Sequence, residues 1–146
     1  MLKKFNPNER NDFVEMCKDF YSSDAVTHNV EENNFLKTYE LCLTDNPYAE
    51  GYFIVADGQN AGYCLLSYTY SNEAGGITAW IEEIYLKQEF RGKGLGKRVL
   101  SELEKLILSE TVRIRLELTP VNISAMKLYE KCGYEKLDYL QMVKEL

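Results

Sequence analysis

The segment from Arg91 to Arg98 carries the residue types best suited to binding an anion. Its sequence, RGKGLGKR, has glycines at three alternate positions and four basic side chains. Glycine lets the backbone approach a ligand closely and adopt dihedral angles that other residues avoid. A stretch with helical periodicity follows, and a helix N-terminus presents unpaired N–H groups and a partial positive charge. These features predict a cradle for a diphosphate; the alternative is a flexible, solvated basic turn.

The spacing within this segment does not fit two common nucleotide-binding loops. A Walker A loop has four residues between its glycines, followed by Lys and then Ser or Thr. Here three residues separate Gly92 from Gly96, and Arg98 follows Lys97. A dinucleotide-binding loop requires glycine at its sixth position. Counted from Gly92, that position is Lys97.

A second pattern runs from Asn122 to Tyr134 and has the periodicity of a helix. Asn is a good helix N-cap, and Asn122, Ala125 and Tyr129 follow at i, i+3 and i+7, which places them on one helix face. Ala125 is small and leaves room for a ligand, toward which Tyr129 then points. A Tyr hydroxyl can protonate a leaving group on which negative charge develops. The alternative role for Tyr129 is to anchor the helix to a sheet.

Three glutamates are candidates for removing a proton from a nucleophile. Glu82 and Glu83 precede the glycine-rich segment, and Glu117 lies five residues before Asn122. Because side chains alternate along a strand, we expect Glu82 and Glu83 on opposite faces, so that only one of them faces a given pocket. As the general base we rank Glu82 first, then Glu83, then Glu117. The alternative for each is an ordinary solvated or salt-bridged carboxylate.

Hydrophobic periodicity and turn residues predict the elements that position these side chains. Helices are predicted at 8–22, 31–43, 95–109 and 122–132. Strands are predicted at 1–5, 52–55, 61–70, 77–87, 112–118 and 137–145, with a hairpin turn at Asp57-Gly58. This order predicts a single α/β (α+β) domain over residues 1–146, with a mixed, mostly antiparallel sheet and helices on both faces.

Together the two patterns resemble the signatures of the GCN5-related N-acetyltransferase (GNAT) family. Arg91-x-x-Gly94-x-Gly96 matches the family's acyl-CoA diphosphate loop, and residues 122–134 match its N-x-x-A-x-x-x-Y-x-x-x-G-Y/F pattern. The resemblance covers about 77–136 and implies an acetyltransferase that carries the acetyl group of acetyl-CoA directly to a primary amine. A polyamine, an amino sugar and a peptide N-terminus stay open as acceptors.

The resemblance also implies roles for individual residues. A central bulge would splay the strand ending at Leu86 from the strand at 112–118 and admit the pantetheine arm, which would pair with the Leu86 backbone. The Glu82-Glu83 pair is similar to a Glu-Asp pair in polyamine-type members, and Glu117 to a glutamate in the ribosomal-protein N-terminal acetyltransferases. The cofactor-binding residues implied are Ile84, Tyr85, Leu86, Arg91, Gly92, Lys93, Gly94, Leu95, Gly96, Lys97, Asn122, Ala125 and Tyr129.

Composition limits the partners that the chain is expected to have. A net charge of −6 argues against nucleic acid and membrane surfaces as partners. The cysteines form no CxxC pair and His28 is the single histidine, so no metal site is predicted. Scattered cysteines and the absence of a signal peptide favour a cytoplasmic protein. A homodimer is compatible with the sequence.

Two other functions fit parts of the sequence. A non-catalytic acyl-CoA sensor would bind acetyl-CoA without turnover on any amine. A nucleotide-phosphate module would bind ATP or NAD in preference to CoA and would leave the pattern at 122–134 unexplained.

Overall fold

The computed structural model describes residues 1–28, 30–107 and 109–146. Within these ranges the strands are β1 (Leu2–Lys4), β2 (Ala49–Ala56), β3 (Gln59–Ser71), β4 (Gly76–Leu86) and β5 (Thr111–Leu116). The helices are α1 (Arg10–Tyr21), α2 (Glu32–Cys42), α3 (Leu95–Leu106) and α4 (Ile123–Lys131), with a 3-10 turn at Gln88–Phe90. No helix in the described ranges is long and apolar enough to cross a membrane.

The strands form one mixed sheet in the order β1-β2-β3-β4-β5. The first four strands pair antiparallel, and β5 pairs parallel to β4. Asp57 and Gly58, with φ of 50° and 75°, form the turn between β2 and β3. Positive φ at both central residues is the conformation of a tight hairpin turn. The predicted mixed, mostly antiparallel sheet and its hairpin are therefore confirmed.

Each face of the sheet is covered by one pair of helices. On one face, α1 and α2 pack an aromatic core that includes Phe13, Tyr39, Phe53 and Tyr63. On the other face, α3 and α4 cover an aliphatic core that includes Leu66, Val99, Leu100 and Leu103. Burial of each such side chain stabilises the fold by roughly 1.5–3 kcal/mol. The helices thus pack with their apolar sides on the two faces of the sheet, as their hydrophobic periodicity predicts.

A bulge in β4 opens the sheet at its centre. The pairing of β3 with β4 runs from Leu65↔Glu83 to Leu66↔Ile81, so Glu82 is the extra residue without a partner. The parallel ladder between β4 and β5 ends at Ile81↔Leu116, one residue before the bulge. Beyond that point β4 and the chain leaving β5 are no longer paired, and we call this opening the fork. The predicted splay at a central bulge is confirmed.

The predicted strand at 137–145 is wrong. Residues 134–146 form neither helix nor strand, and β5 remains an edge strand. Leu140 and Met142 are 97% and 96% exposed. Apolar residues in this stretch occupy neighbouring positions, as at 139–140 and 142–143, so no single face is specified for burial and the register is weakly determined.

Deletion of residues 140–146 should leave stability almost unchanged, because those side chains bury little surface. We expect a change within about 0.5 kcal/mol in the free energy of unfolding, measured by urea denaturation. Deletion from Tyr134 onward is the matched control and should destabilise clearly, since Tyr134 packs against Tyr129 with ring centroids 5.7 Å apart. Equal losses from both deletions would contradict the exposed tail.

Candidate functional site

The loop before α3 presents a run of free backbone amides. Gly92 and Gly94 have φ of 73° and 74°, and Gly94 caps the N-terminus of α3. A Cβ built on either glycine would meet nothing within 4 Å, so the backbone faces open space. Within the described residues, no hydrogen bond uses the N–H groups of residues 92–97. The loop therefore fits a diphosphate, as its sequence predicts.

Arg91 plays a different part from the amides that follow it. Its own N–H donates to the Gln88 carbonyl at 3.1 Å and is therefore not free to bind a ligand. Of the cofactor-binding residues predicted at 91–97, only residues 92–97 keep a free backbone N–H. Its Nε donates to the Leu86 carbonyl at 2.7 Å. Arg91 therefore occupies a backbone oxygen that was predicted to pair with the pantetheine arm, and a ligand strand there would have to compete with this side chain.

The remaining residues near the loop serve packing with their side chains. A Cβ on Gly96 would lie 2.9 Å from Leu128 Cδ2, so this glycine allows α3 to approach α4. Leu95 is buried in the aliphatic core, and Ile84 packs against the same core. Tyr85 faces the aromatic core. For these four residues, binding would involve backbone atoms.

Helix α4 is built as its pattern predicts. The Asn122 side chain accepts a hydrogen bond from the Ala125 N–H at 3.2 Å and caps the helix. Tyr129 is 8% exposed and lines a cleft of about 780 Å³ between β5, α4 and the chain after Gly133, here called the larger cleft. Within the described residues its hydroxyl makes no hydrogen bond. Burial raises the pKa of Tyr129 to about 12, so the phenol keeps its proton at neutral pH.

The bulge overturns the prediction that Glu82 and Glu83 lie on opposite faces. Glu82 accepts a hydrogen bond from Ser67, and Glu83 accepts one from Tyr63 at 2.6 Å. Tyr63 and Ser67 lie four residues apart on β3 and share the face turned toward α1 and α2. Strand alternation fails here because Glu82 is the inserted residue, so both carboxylates point to one side.

Glu82 and Glu117 meet at the fork. Both are exposed, and both line a second, smaller cleft of about 330 Å³. The other lining residues of the smaller cleft are Ser67, Thr69, Trp80 and Ile81. Glu117 also lines the larger cleft with Tyr129, so it lies between the two. The first- and third-ranked general-base candidates therefore share a site.

Glu83 instead belongs to the packed interior beneath α1. Its two carboxylate oxygens accept hydrogen bonds from Tyr21 at 2.5 Å and Tyr63 at 2.6 Å. Burial raises the pKa of Glu83, the two tyrosine hydrogen bonds oppose that rise, and the Glu82 charge adds to it. Tyr21 is the last residue of α1, so this carboxylate ties the end of the helix to the bulge.

A second tyrosine–carboxylate hydrogen bond also ties α1 to β4, but here the tyrosine is on the strand and the carboxylate is on the helix. Tyr85 on β4 donates to Asp19 on α1, while the Arg91 guanidinium carbon lies 5.6 Å from the centroid of the Tyr85 ring. Beyond α1, the Asp24 carbonyl accepts a hydrogen bond from Thr119 at 3.3 Å. The end of α1 is thus fixed between the glycine-rich loop and the chain leaving the fork.

Sequence reasoning missed several residues that shape this site. Ser67, Thr69 and Trp80 line the smaller cleft, and Tyr21 and Tyr63 hold Glu83. Each is an ordinary strand or helix residue in the sequence. The pairing of β3 with β4 brings the strand residues together, and the packing of α1 on the sheet adds Tyr21, so no local signal identifies them.

Comparison with protein families gives a match over residues 11–134 to the acetyltransferase (GNAT) family. The spermine/spermidine N(1)-acetyltransferase of Bacillus subtilis is 28% identical over 128 residues, which cover 77% of this chain and 83% of that protein. The thialysine N-epsilon-acetyltransferase of Bos taurus is 32% identical over 77 residues, or 52% of this chain and 45% of that protein.

Solved structures share the fold at low sequence identity. A possible acetyltransferase from Clostridium difficile 630 has a TM-score of 0.84 at 16% identity and covers 100% of this chain and 97% of its own. The aminoglycoside N-acetyltransferase AAC(6')-Iy, in complex with CoA, has a TM-score of 0.80 at 15% identity, covering 99% of this chain and 93% of its own.

Substitution of Gly94 by Ala should weaken CoA binding at least tenfold in calorimetry. The added Cβ would occupy the space in front of the amides, and φ of 74° adds backbone strain of about 1–2 kcal/mol. Gly75→Ala is the matched control, because Gly75 has φ of 72° and equally open surroundings outside the loop. It should lose similar stability and keep CoA affinity. Equal affinity in both variants would remove the loop from the site.

Tyr21→Phe should destabilise the protein more at alkaline than at acidic pH. In the unaltered protein the hydrogen bond from Tyr21 lowers the pKa of Glu83. Without this bond, the pKa of Glu83 in the folded variant rises further above its value in the unfolded chain. Ionised Glu83 then costs more stability above that pKa, and the cost disappears as falling pH protonates the carboxyl. We expect a loss of roughly 1.5–3 kcal/mol in urea unfolding at alkaline pH.

Tyr139→Phe is the control for this experiment. Tyr139 donates to the Glu73 carboxylate at 2.9 Å, but both side chains are exposed. Its removal should therefore have little effect at any pH. A pH-independent loss in Tyr21→Phe would argue against its bond to an ionised Glu83.

Proposed function

Because the chain belongs to the acetyltransferase (GNAT) family and uses acetyl-CoA to acetylate an amine, we propose that its acceptor is a small primary alkyl amine bound at the fork. The observation that carries this proposal is the meeting of Glu82 and Glu117 in one cleft, just where β4 and β5 stop pairing. Alkyl amines are mostly protonated near neutral pH. Two carboxylates attract that cation to the place where the strands open.

The cofactor site would lie beside this acceptor site. The free amides of residues 92–97 and the positive end of α3 would hold the diphosphate of acetyl-CoA. Lys93 and Lys97 add positive charge on the same loop. The fork would admit the acyl-bearing arm, with Ala125 and Tyr129 of α4 nearby. When bound, acetyl-CoA supplies the activated acetyl group; the chain supplies position and proton transfer.

Two side chains are assigned to proton transfer. Glu82, directly or through water, would take one proton from the bound ammonium and free the amine to accept the acetyl group. The Tyr129 hydroxyl would give its proton to the departing CoA thiolate, and the second proton that the amine nitrogen loses as the amide forms would return to Tyr129. The raised pKa of Tyr129 keeps that proton available throughout the neutral range. The Glu117 carboxylate helps to neutralise the positive charge of the bound acceptor.

Other acceptors and functions make different demands on the site. The spermine/spermidine and thialysine acetyltransferases among the relatives favour a flexible alkyl amine. A peptide would need a longer groove than the 330 Å³ cleft, whereas an amino sugar would need more polar groups in its walls than Trp80 and Ile81. A non-catalytic sensor would have no use for Tyr129 and Glu82 at neighbouring clefts.

Tyr129→Phe should retain CoA affinity and lose about 100-fold in kcat, the usual size of a lost general acid. Glu82→Gln should lose a similar factor at neutral pH and recover partly at alkaline pH, where the amine is already deprotonated. The measurement is thiol release from acetyl-CoA with a panel of primary amines, beside calorimetry with CoA.

Cys132→Ala provides the matched control. Cys132 lines the larger cleft with Tyr129 and would be the carrier if the acetyl group passed through a thioester on the protein. Direct transfer predicts full activity in this variant. Unchanged turnover in Tyr129→Phe, or CoA binding without turnover on any amine, would refute the proposed mechanism.

A further inference from the structure

Two polar rows lie next to each other at the fork and run diagonally from β3 to β4, since the register places Ser67 opposite Trp80. We define the anionic row as Ser67, Glu82 and Glu117, and the cationic row as Thr69, Trp80 and Arg115. Glu82 accepts a hydrogen bond from Ser67, and Trp80 Nε1 donates to Thr69 Oγ1 at 3.2 Å. Apart from Arg115, all of these residues line the smaller cleft. Arg115 lies over the ring of Trp80, which lines that cleft, and Arg115 is itself among the residues that line the larger cleft.

Stacking on Trp80 holds the Arg115 guanidinium in a fixed orientation. Its guanidinium carbon lies 4.3 Å from the centroid of the Trp80 ring, and the bond to Thr69 fixes that ring in turn. A stacked guanidinium keeps its in-plane N–H groups available for a planar anion. Within the described residues Arg115 makes no salt bridge, whereas Arg113, two positions earlier, pairs with Glu73 at 2.9 Å.

From this arrangement we propose that Arg115 forms an anion subsite, so that the acceptor is an alkyl amine carrying a carboxylate at its other end. This inference rests on the proposed function, because it takes the amine to bind at Glu82 and Glu117. In an extended chain the Cα atoms of Arg115 and Glu117 are about 6.6 Å apart and their side chains lie on the same side; Glu117 directly follows the last residue of β5. A five- or six-carbon ω-amino acid spans roughly that distance when extended.

The two rows together select for a zwitterion. An anion without an amine would meet the repulsion of the two glutamates. A diamine would place its second ammonium beside Arg115, where like charges repel. Only an acceptor with opposite charges at its two ends satisfies both rows, and an arginine–carboxylate pair with two parallel hydrogen bonds fixes the acceptor's direction.

The test uses three acceptors that differ only at the remote end: 6-aminohexanoate, hexylamine and 1,6-diaminohexane. Thiol release from acetyl-CoA gives kcat/KM for each. In the unaltered protein we expect 6-aminohexanoate to exceed hexylamine roughly tenfold or more, the size of a charge-assisted hydrogen-bonded pair. Arg115→Gln should bring that ratio close to one, and Arg115→Glu should invert the preference toward 1,6-diaminohexane.

Arg113→Gln is the matched control, since it removes a neighbouring arginine that is already paired, and it should keep the ratio. Arg115→Lys keeps the positive charge but loses the planar guanidinium, and it should give an intermediate ratio. It replaces Arg115→Gln in the test if that variant does not fold, which calorimetry with CoA reports. A ratio of one or less in the unaltered protein, or an undiminished ratio in Arg115→Gln, would overturn the anion subsite. Turnover of none of the three amines would instead count against the proposed function.

Discussion

The bulge at Glu82 is the constraint on which the rest of the site depends. One extra residue in β4 ends the parallel ladder at Ile81↔Leu116 and opens the fork. The same insertion turns Glu82 to the side already occupied by Glu83. A regular strand would have kept β4 paired to β5 and sent the two carboxylates to opposite faces. A single local irregularity thus creates both the opening and its charge.

Two adjacent glutamates acquire different properties from their surroundings. Glu83 lies beneath α1, where two tyrosine hydroxyls bind it and burial raises its pKa. Glu82 lies in the open cleft and is bound by the small hydroxyl of Ser67. A carboxylate that is to exchange protons with a substrate must reach the substrate, which is why Glu82 is the proposed general base, whereas Glu83 ties the end of α1 to the bulge.

Charge is segregated over the structure in a way that net composition hides. The chain carries −6 overall, yet its glycine-rich loop is basic and its fork is acidic. The first suits the diphosphate of acetyl-CoA and the second suits an amine. Arg115, stacked on Trp80 beside the fork, interrupts the acidic surface with one oriented positive charge. An enzyme that joins an anionic cosubstrate to a cationic acceptor needs this separation.

The sequence by itself determined what depends on local spacing: the helices, the hairpin at Asp57-Gly58, the amide cradle before α3 and the Asn122 cap. These features follow from backbone preferences that act over a few residues. Only the tertiary structure decided what depends on pairing between distant strands. It placed the two adjacent glutamates on one face, brought Ser67 and Trp80 to Glu117, and left 137–145 unpaired. The physical reason is that a bulge shifts side chains between faces without any signature in the residues that form it.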